Sequence, residues 1–103
     1  MSSSKEYLDY ILEQLSGLEG LTYRPMMGEY ILYVDGKIIG GIYDDRLLVK
    51  PTPFSLGITP RLSLQSPYDG AKDMLLVENV EDGSFLKELL LKIAQELPQK
   101  KKR

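Results

Sequence analysis

The stretch from Glu29 to Lys50 constrains this chain most. Its aromatic and β-branched residues fall in short runs, Glu29–Val34, Lys37–Tyr43 and Arg46–Lys50, cut by Asp35-Gly36 and Asp44-Asp45. Each run is too short for a helix to hold by itself and suits a pleated surface. Asp-Gly between such runs is a strong hairpin signal, because both central residues of a type I′ turn need positive φ. Asp44-Asp45 is a weaker signal of the same kind. The expectation is an antiparallel meander.

Turn length predicts register. Two-residue turns set Val34 opposite Lys37, Leu32 opposite Ile39 and Tyr30 opposite Gly41, then Leu47 opposite Ile42 and Leu48 opposite Gly41. Side chains alternate across a sheet. One face then carries Ile31, Tyr33, Ile38, Ile42, Leu47 and Val49, with Gly40 among them. It holds no charge and is expected to lie under helices. The other carries Tyr30, Leu32, Val34, Lys37, Ile39, Gly41, Tyr43, Arg46, Leu48 and Lys50. A solvated face normally alternates with polar residues, so this one needs a cover: a helix, a long loop or a second subunit. An apolar centre rimmed by Tyr, Lys and Arg is also how an interface is composed.

The flanks read as helices. Ser3 and Glu6 have capping-box spacing ahead of the stripe Tyr7, Leu8, Ile11, Leu12 and Leu15, and Gly17 and Gly20 end it. Leu21–Arg24 is a short strand closed by Pro25, and Met26-Met27-Gly28 a turn or bulge. The region 51–70, with four prolines, is the least regular, with one helical turn expected near Phe54–Gly57. Leu62, Leu64 and Tyr68 are the residues that would pin it to the body. Loops of that length are often functional. Asp73–Glu78 reads as a buried strand. Asp82 caps a last helix carrying Phe85, Leu86, Leu89, Leu90, Ile93, Ala94 and Leu97, which Pro98 stops.

Composition closes off much chemistry. The chain has 103 residues and neither Cys, His nor Trp. A His-containing triad, a Cys nucleophile, a thiolate or imidazole zinc site and a disulfide are all excluded. The formal net charge is −2, with 15 acidic and 13 basic side chains, but four of the basic ones are Lys100, Lys101, Lys102 and Arg103. The preceding residues are therefore considerably more acidic than the whole. Such a body disfavours phosphate backbones, so direct nucleic-acid binding is not expected. No signal peptide or membrane-length apolar run is visible, which points to the cytoplasm. Residues 1–98 read as one domain and 99–103 as a basic disordered tail.

Few residues remain as candidates for chemistry. Asp44-Asp45 lacks the additional oxygen ligands that a metal needs, so neither a metal nor a cofactor is expected. Gly40-Gly41 lacks the motif of a phosphate loop; it reads as a place where Tyr30, Leu48 or a covering element approaches the sheet. Lys50 and Lys72 sit next to turn or loop residues, where the burial that activates a catalytic lysine is not expected. The seven tyrosines lack interleaved basic residues and read as packing. Arg24-Pro25-Met26-Met27-Gly28 is the most unusual string. It combines a charge with two soft, adaptable side chains.

That string, followed by Tyr30 to Tyr33, Asp35-Gly36-Lys37, Gly40 to Tyr43 and Asp44-Asp45-Arg46-Leu47-Leu48-Val49-Lys50, resembles the TfoX N-terminal domain family. The resemblance continues through Tyr68-Asp69-Gly70-Ala71-Lys72 and the last helix. It implies a two-layer α+β domain, an antiparallel meander sheet packed by N- and C-terminal helices, similar to secretion-chaperone folds that often dimerise. The family takes its name from bacterial regulators of competence for DNA uptake. Those regulators carry a second, C-terminal helical domain, and no counterpart to it is expected within residues 1–103.

The resulting expectation is a non-enzymatic protein-interaction or regulatory module with no catalytic residues, whose partner is an unidentified protein or a second copy of the chain. The candidate surface is Arg24, Met26, Met27, Gly28, Tyr30, Tyr43, Arg46 and Lys50. The alternative is a small-ligand-binding or catalytic domain using Arg24, Asp44, Asp45 or Lys50, which requires those four groups to converge.

Overall fold

The computed structural model describes residues 4–58, 64–66, 70–78 and 80–97. Helix α1 (Lys5–Gln14) leads into strands β1 (Leu21–Met26), β2 (Glu29–Val34), β3 (Lys37–Ile42) and β4 (Leu47–Val49). A short helix α2 (Pro53–Ile58), strands β5 (Leu64–Gln65) and β6 (Met74–Leu76), and helix α3 (Gly83–Glu96) follow. Among the described residues the strands form one antiparallel sheet in the order β1-β2-β3-β4-β6-β5. The fold is the expected α+β meander with an N-terminal and a C-terminal helix.

Three tight turns build the meander. Met27 and Gly28 (φ 53° and 87°), Asp35 and Gly36 (53° and 79°), and Asp44 and Asp45 (54° and 55°) all have positive φ at both central residues. That is the condition for the hairpin turns whose twist matches the strands. Gly and Asp tolerate this region best. Pro25 lies inside β1 rather than ending it, paired with Tyr30. β1 is an edge strand, and beyond the two-residue turn the Pro25–Tyr30 pair is the non-hydrogen-bonded one, so the missing N–H of Pro25 falls on the unpaired side.

The expected register fails at one place. Val34 faces Lys37 and Tyr33 faces Ile38, but Leu32 then faces Gly40 rather than Ile39, and Tyr30 faces Ile42. Ile39 is the extra residue of a bulge. Beyond it the second hairpin pairs as expected, with Leu48 opposite Gly41 and Leu47 opposite Ile42. A one-residue slip exchanges faces. Ile42, Leu47 and Val49 therefore join Leu32, Val34 and Ile39 in the core under the helices, all fully buried. Ile31, Tyr33 and Ile38 lie on the opposite face. Neither face predicted from alternation exists as written, and the face predicted to lie under helices is split between the two.

Gly40 is what admits the bulge. A Cβ there would collide with the Leu48 carbonyl oxygen and stand 2.8 Å from the Val49 Cα. At Gly41 a Cβ would come within 2.7 Å of the Tyr43 ring. The Tyr43 ring takes the space that Gly41 leaves.

The helices supply the other half of the core. Leu8, Ile11 and Leu15, in α1 and at its end, and Leu86, Leu89, Leu90, Ile93 and Ala94 of α3 are buried against the sheet. Each large side chain contributes roughly 1.5–3 kcal/mol of hydrophobic stabilisation. Ser4, not Ser3, caps α1 by accepting from the Tyr7 amide at 3.1 Å; Ser3 lies outside the described residues. Asp82 caps α3 by accepting from the Phe85 amide. Leu97 turns extended (ψ 146°), as the residue before a proline should.

Both long helices have a lysine from elsewhere at their C-terminal carbonyls. The Lys37 ammonium donates to Ala94 O at 2.8 Å and to Leu97 O at 3.3 Å. The Lys87 ammonium donates to Ser16 O at 3.1 Å, just past the end of α1. A cation there offsets the negative end of the helix dipole and satisfies carbonyls that have no partner within the helix. Lys37 thus lies on the helix side of the sheet, where no charge was expected.

Candidate functional site

The face opposite the helices is built by cross-strand rows. Arg24, Ile31, Gly41, Leu48 and Leu76 pair in succession across five strands, and Thr22, Tyr33 and Ile38 form a second row. The face is closed on one side and open on the other. Leu48 is fully buried and Tyr43 is 6% exposed. Ile38 and Met26 are 41% and 40% exposed, and Ile31 and Tyr33 are half-buried.

Where the closed and open parts meet runs a groove of about 530 Å³. Its floor is apolar: Met26, Ile31, Ile38, Tyr43 and Met74. Lys50 and Pro51 border it after β4, Ala71, Lys72 and Asp73 before β6, and Leu97 at the end of α3. A volume of this size with mostly apolar walls and a few charges is typical of a binding site. A second depression, of about 430 Å³, is lined by Thr22, Tyr23, Arg24, Tyr33 and Gly36.

The eight residues of the candidate surface do not share one place. Met26, Tyr43 and Lys50 line the groove, and Arg24 lines the second depression. Met27 and Gly28 form the β1–β2 turn, with Met27 94% exposed. Tyr30 is on the helix side, packed against the core and edge-to-face with Tyr23 at 6.0 Å. The bulge leaves it there, opposite Ile42. Arg46 ties the sheet edge together: its Nε donates to Tyr43 O at 3.1 Å and its Nη1 to Gln65 Oε1 at 2.6 Å.

Neither of these two depressions gathers Arg24, Asp44, Asp45 and Lys50. Lys50 and Arg24 line different ones, and neither aspartate lines either. The Asp44 amide donates to the Glu29 carboxylate at 3.0 Å. Asp45 accepts from the Ser4 amide at 2.8 Å and so holds the β3–β4 turn against the start of α1, where a negative charge is favoured. The ligand or catalytic alternative requires the four groups to converge, and the groove and the second depression do not bring them together.

Sequence reasoning missed the second wall. Lys72 was visible as a residue, but nothing local links it to Lys50. The link is the pairing of β4 with β6, which brings the approach to Met74 alongside the exit from Val49. Leu62 and Tyr68, expected to anchor the loop, lie outside the described residues, as do 99–103.

Asp45 has a further effect. Burial pushes the Tyr7 hydroxyl above the ordinary tyrosine value, and the nearby Asp45 charge and Tyr10 add to the shift. The folded state thus favours neutral Tyr7. Its contribution is fully present below the unfolded value of about 10 and is lost as pH rises through the higher folded value. Denaturant titrations across that alkaline range should show stability falling more steeply for the wild-type protein than for Tyr7→Phe. Equal slopes would remove this assignment.

With the geometry in place, comparison with known proteins is informative. Residues 13–79 match the TfoX N-terminal domain, a span that runs from late α1 through β6 and includes most of the groove lining. The chain is also 33% identical over 104 aligned residues to a Spirochaeta aurantia protein described as an uncharacterized 12.7 kDa protein in the trpE 5′ region. That alignment covers 100% of this chain and 90% of the relative. Both the extent of the domain match and the end-to-end likeness lead to one conclusion: the chain belongs to the TfoX N-terminal domain family.

Proposed function

We propose that this domain is a non-enzymatic interaction module with a regulatory role, working in the cytoplasm. It docks a protein partner on the open part of the sheet. The observation that carries this reading is the apolar groove across a sheet face that the chain's own helices leave uncovered. Exposed Met27, at the adjacent β1–β2 turn, extends the apolar surface. Contiguous exposed apolar surface of this kind marks interaction sites. The acidic body makes the phosphate backbone of nucleic acid a poor partner.

Affinity capture from the native cell tests this, with wild type, Ile38→Glu and Arg24→Ala as baits. Ile38 is exposed enough that the charge should leave the fold intact, which a thermal melt checks. A specific protein should be retained by wild type and depleted at least tenfold by Ile38→Glu. Arg24→Ala reports whether the docking surface reaches the second depression. If wild type and Ile38→Glu retain the same proteins, the open face is not the docking surface.

A further inference from the structure

Resting on that docking surface, we infer that the partner presents an acidic amphipathic peptide segment: apolar side chains on the groove floor and carboxylates along its Lys50–Lys72 wall. The wall holds two lysines against one carboxylate, Asp73. Lys50 is half-buried and Lys72 exposed, and neither has an ion-pair partner among the described residues. An apolar floor next to unpaired ammonium groups favours a ligand that is apolar on one side and anionic on the other.

The balance of this wall differs from that of the chain around it. Residues 1–99 carry 15 acidic and 9 basic side chains, whereas the wall has two lysines to one aspartate. That polarity steers an acidic segment to this face and away from the others.

The same charges argue against a second copy as occupant. A two-fold contact through this face would set each patch against itself, lysines toward lysines. The groove also sets a length. Met26 on β1 and Met74 on β6 are four strand spacings apart, about 19 Å. A helix covering that distance has about 13 residues.

The test is fluorescence anisotropy with the full chain and three labelled peptides of about 14 residues. One is an amphipathic Leu/Glu peptide, the second replaces every Glu with Lys, and the third keeps Glu but replaces Leu with Ser. The Leu/Glu peptide should bind at least tenfold more tightly than either other peptide, and more weakly as salt rises. Lys50→Glu with Lys72→Glu should cost it at least tenfold. Lys72→Glu alone, at an exposed residue, should cost it severalfold without affecting the fold. Equal binding of the Leu/Glu and Leu/Lys peptides overturns the acidic class. So does binding that the lysine variants leave unchanged. Sedimentation showing a dimer that Ile38→Glu dissociates overturns it in favour of a second copy. In each of these cases the docking reading is judged separately, by whether Ile38→Glu still loses its cellular partner.

Discussion

Ile42→Ala is expected to lower the unfolding free energy by about 3 kcal/mol, and Ile38→Ala by less than about 1 kcal/mol. Simple alternation puts these two isoleucines on one face of β3, so it predicts similar losses. The structure separates them. Ile42 is fully buried in the core, whereas Ile38 is 41% exposed on the open face. Removing a buried Ile side chain loses its transfer free energy and leaves a cavity that the surrounding core fills only in part. At Ile38, solvent already reaches much of the side chain. Urea denaturation of the two variants beside wild type decides the matter. Similar losses would mean that β3 runs without the bulge, and would move the open face with it.

The second large effect is expected at Gly40. Gly40→Ala should destabilise by about 3 kcal/mol, at the upper end of the usual overpacking range. The atoms that an added methyl meets are the Leu48 carbonyl oxygen and the Val49 Cα, both backbone atoms of β4. A side chain could rotate away, but a paired strand can yield only by giving up its register. The loss is large beside the 5–15 kcal/mol typical of whole domains. Gly57→Ala is the internal control. A Cβ at Gly57 meets nothing within 4 Å, and the residue lies in α2. Alanine there should stabilise by up to about 0.5 kcal/mol, through helix propensity. A melt in which the two alanines shift stability by the same amount and in the same direction would refute the crowding argument at Gly40.

These two sites also show where local reading stops. The Asp35-Gly36 and Asp44-Asp45 turns were legible because each depends on a few adjacent residues that tolerate positive φ. The stripes of α1 and α3 were legible because periodicity is a local property. The bulge was not. Gly40-Gly41 marked the place, since glycines inside a strand signal a close approach. Which residue is extra depends on how the Leu48 carbonyl packs on Gly40 and the Tyr43 ring on Gly41, and those contacts form only once β4 has returned alongside. Alternation therefore puts Tyr30 on the face away from the helices, and Ile38 on the face under them.

The candidate site divides in the same way. Met26, Tyr43 and Lys50 were singled out from the strands that carry them, and all three line the groove. Its second wall, Ala71 to Asp73, comes from a segment more distant in sequence, brought in by the pairing of β4 with β6. Short-range pattern contains no term for that pairing.

By itself, the sequence determined the class of this protein. Its lack of Cys and His, its tight turns and its two amphipathic helices specify an α+β meander with little catalytic chemistry available to it, because composition and local conformational preference act within a few residues. Tertiary structure alone decided which side of each strand meets the helices and which faces away from them. Strand faces alternate with a period of two, so a single bulged residue, accommodated by one glycine, exchanges the faces of the residues on one side of it relative to those on the other.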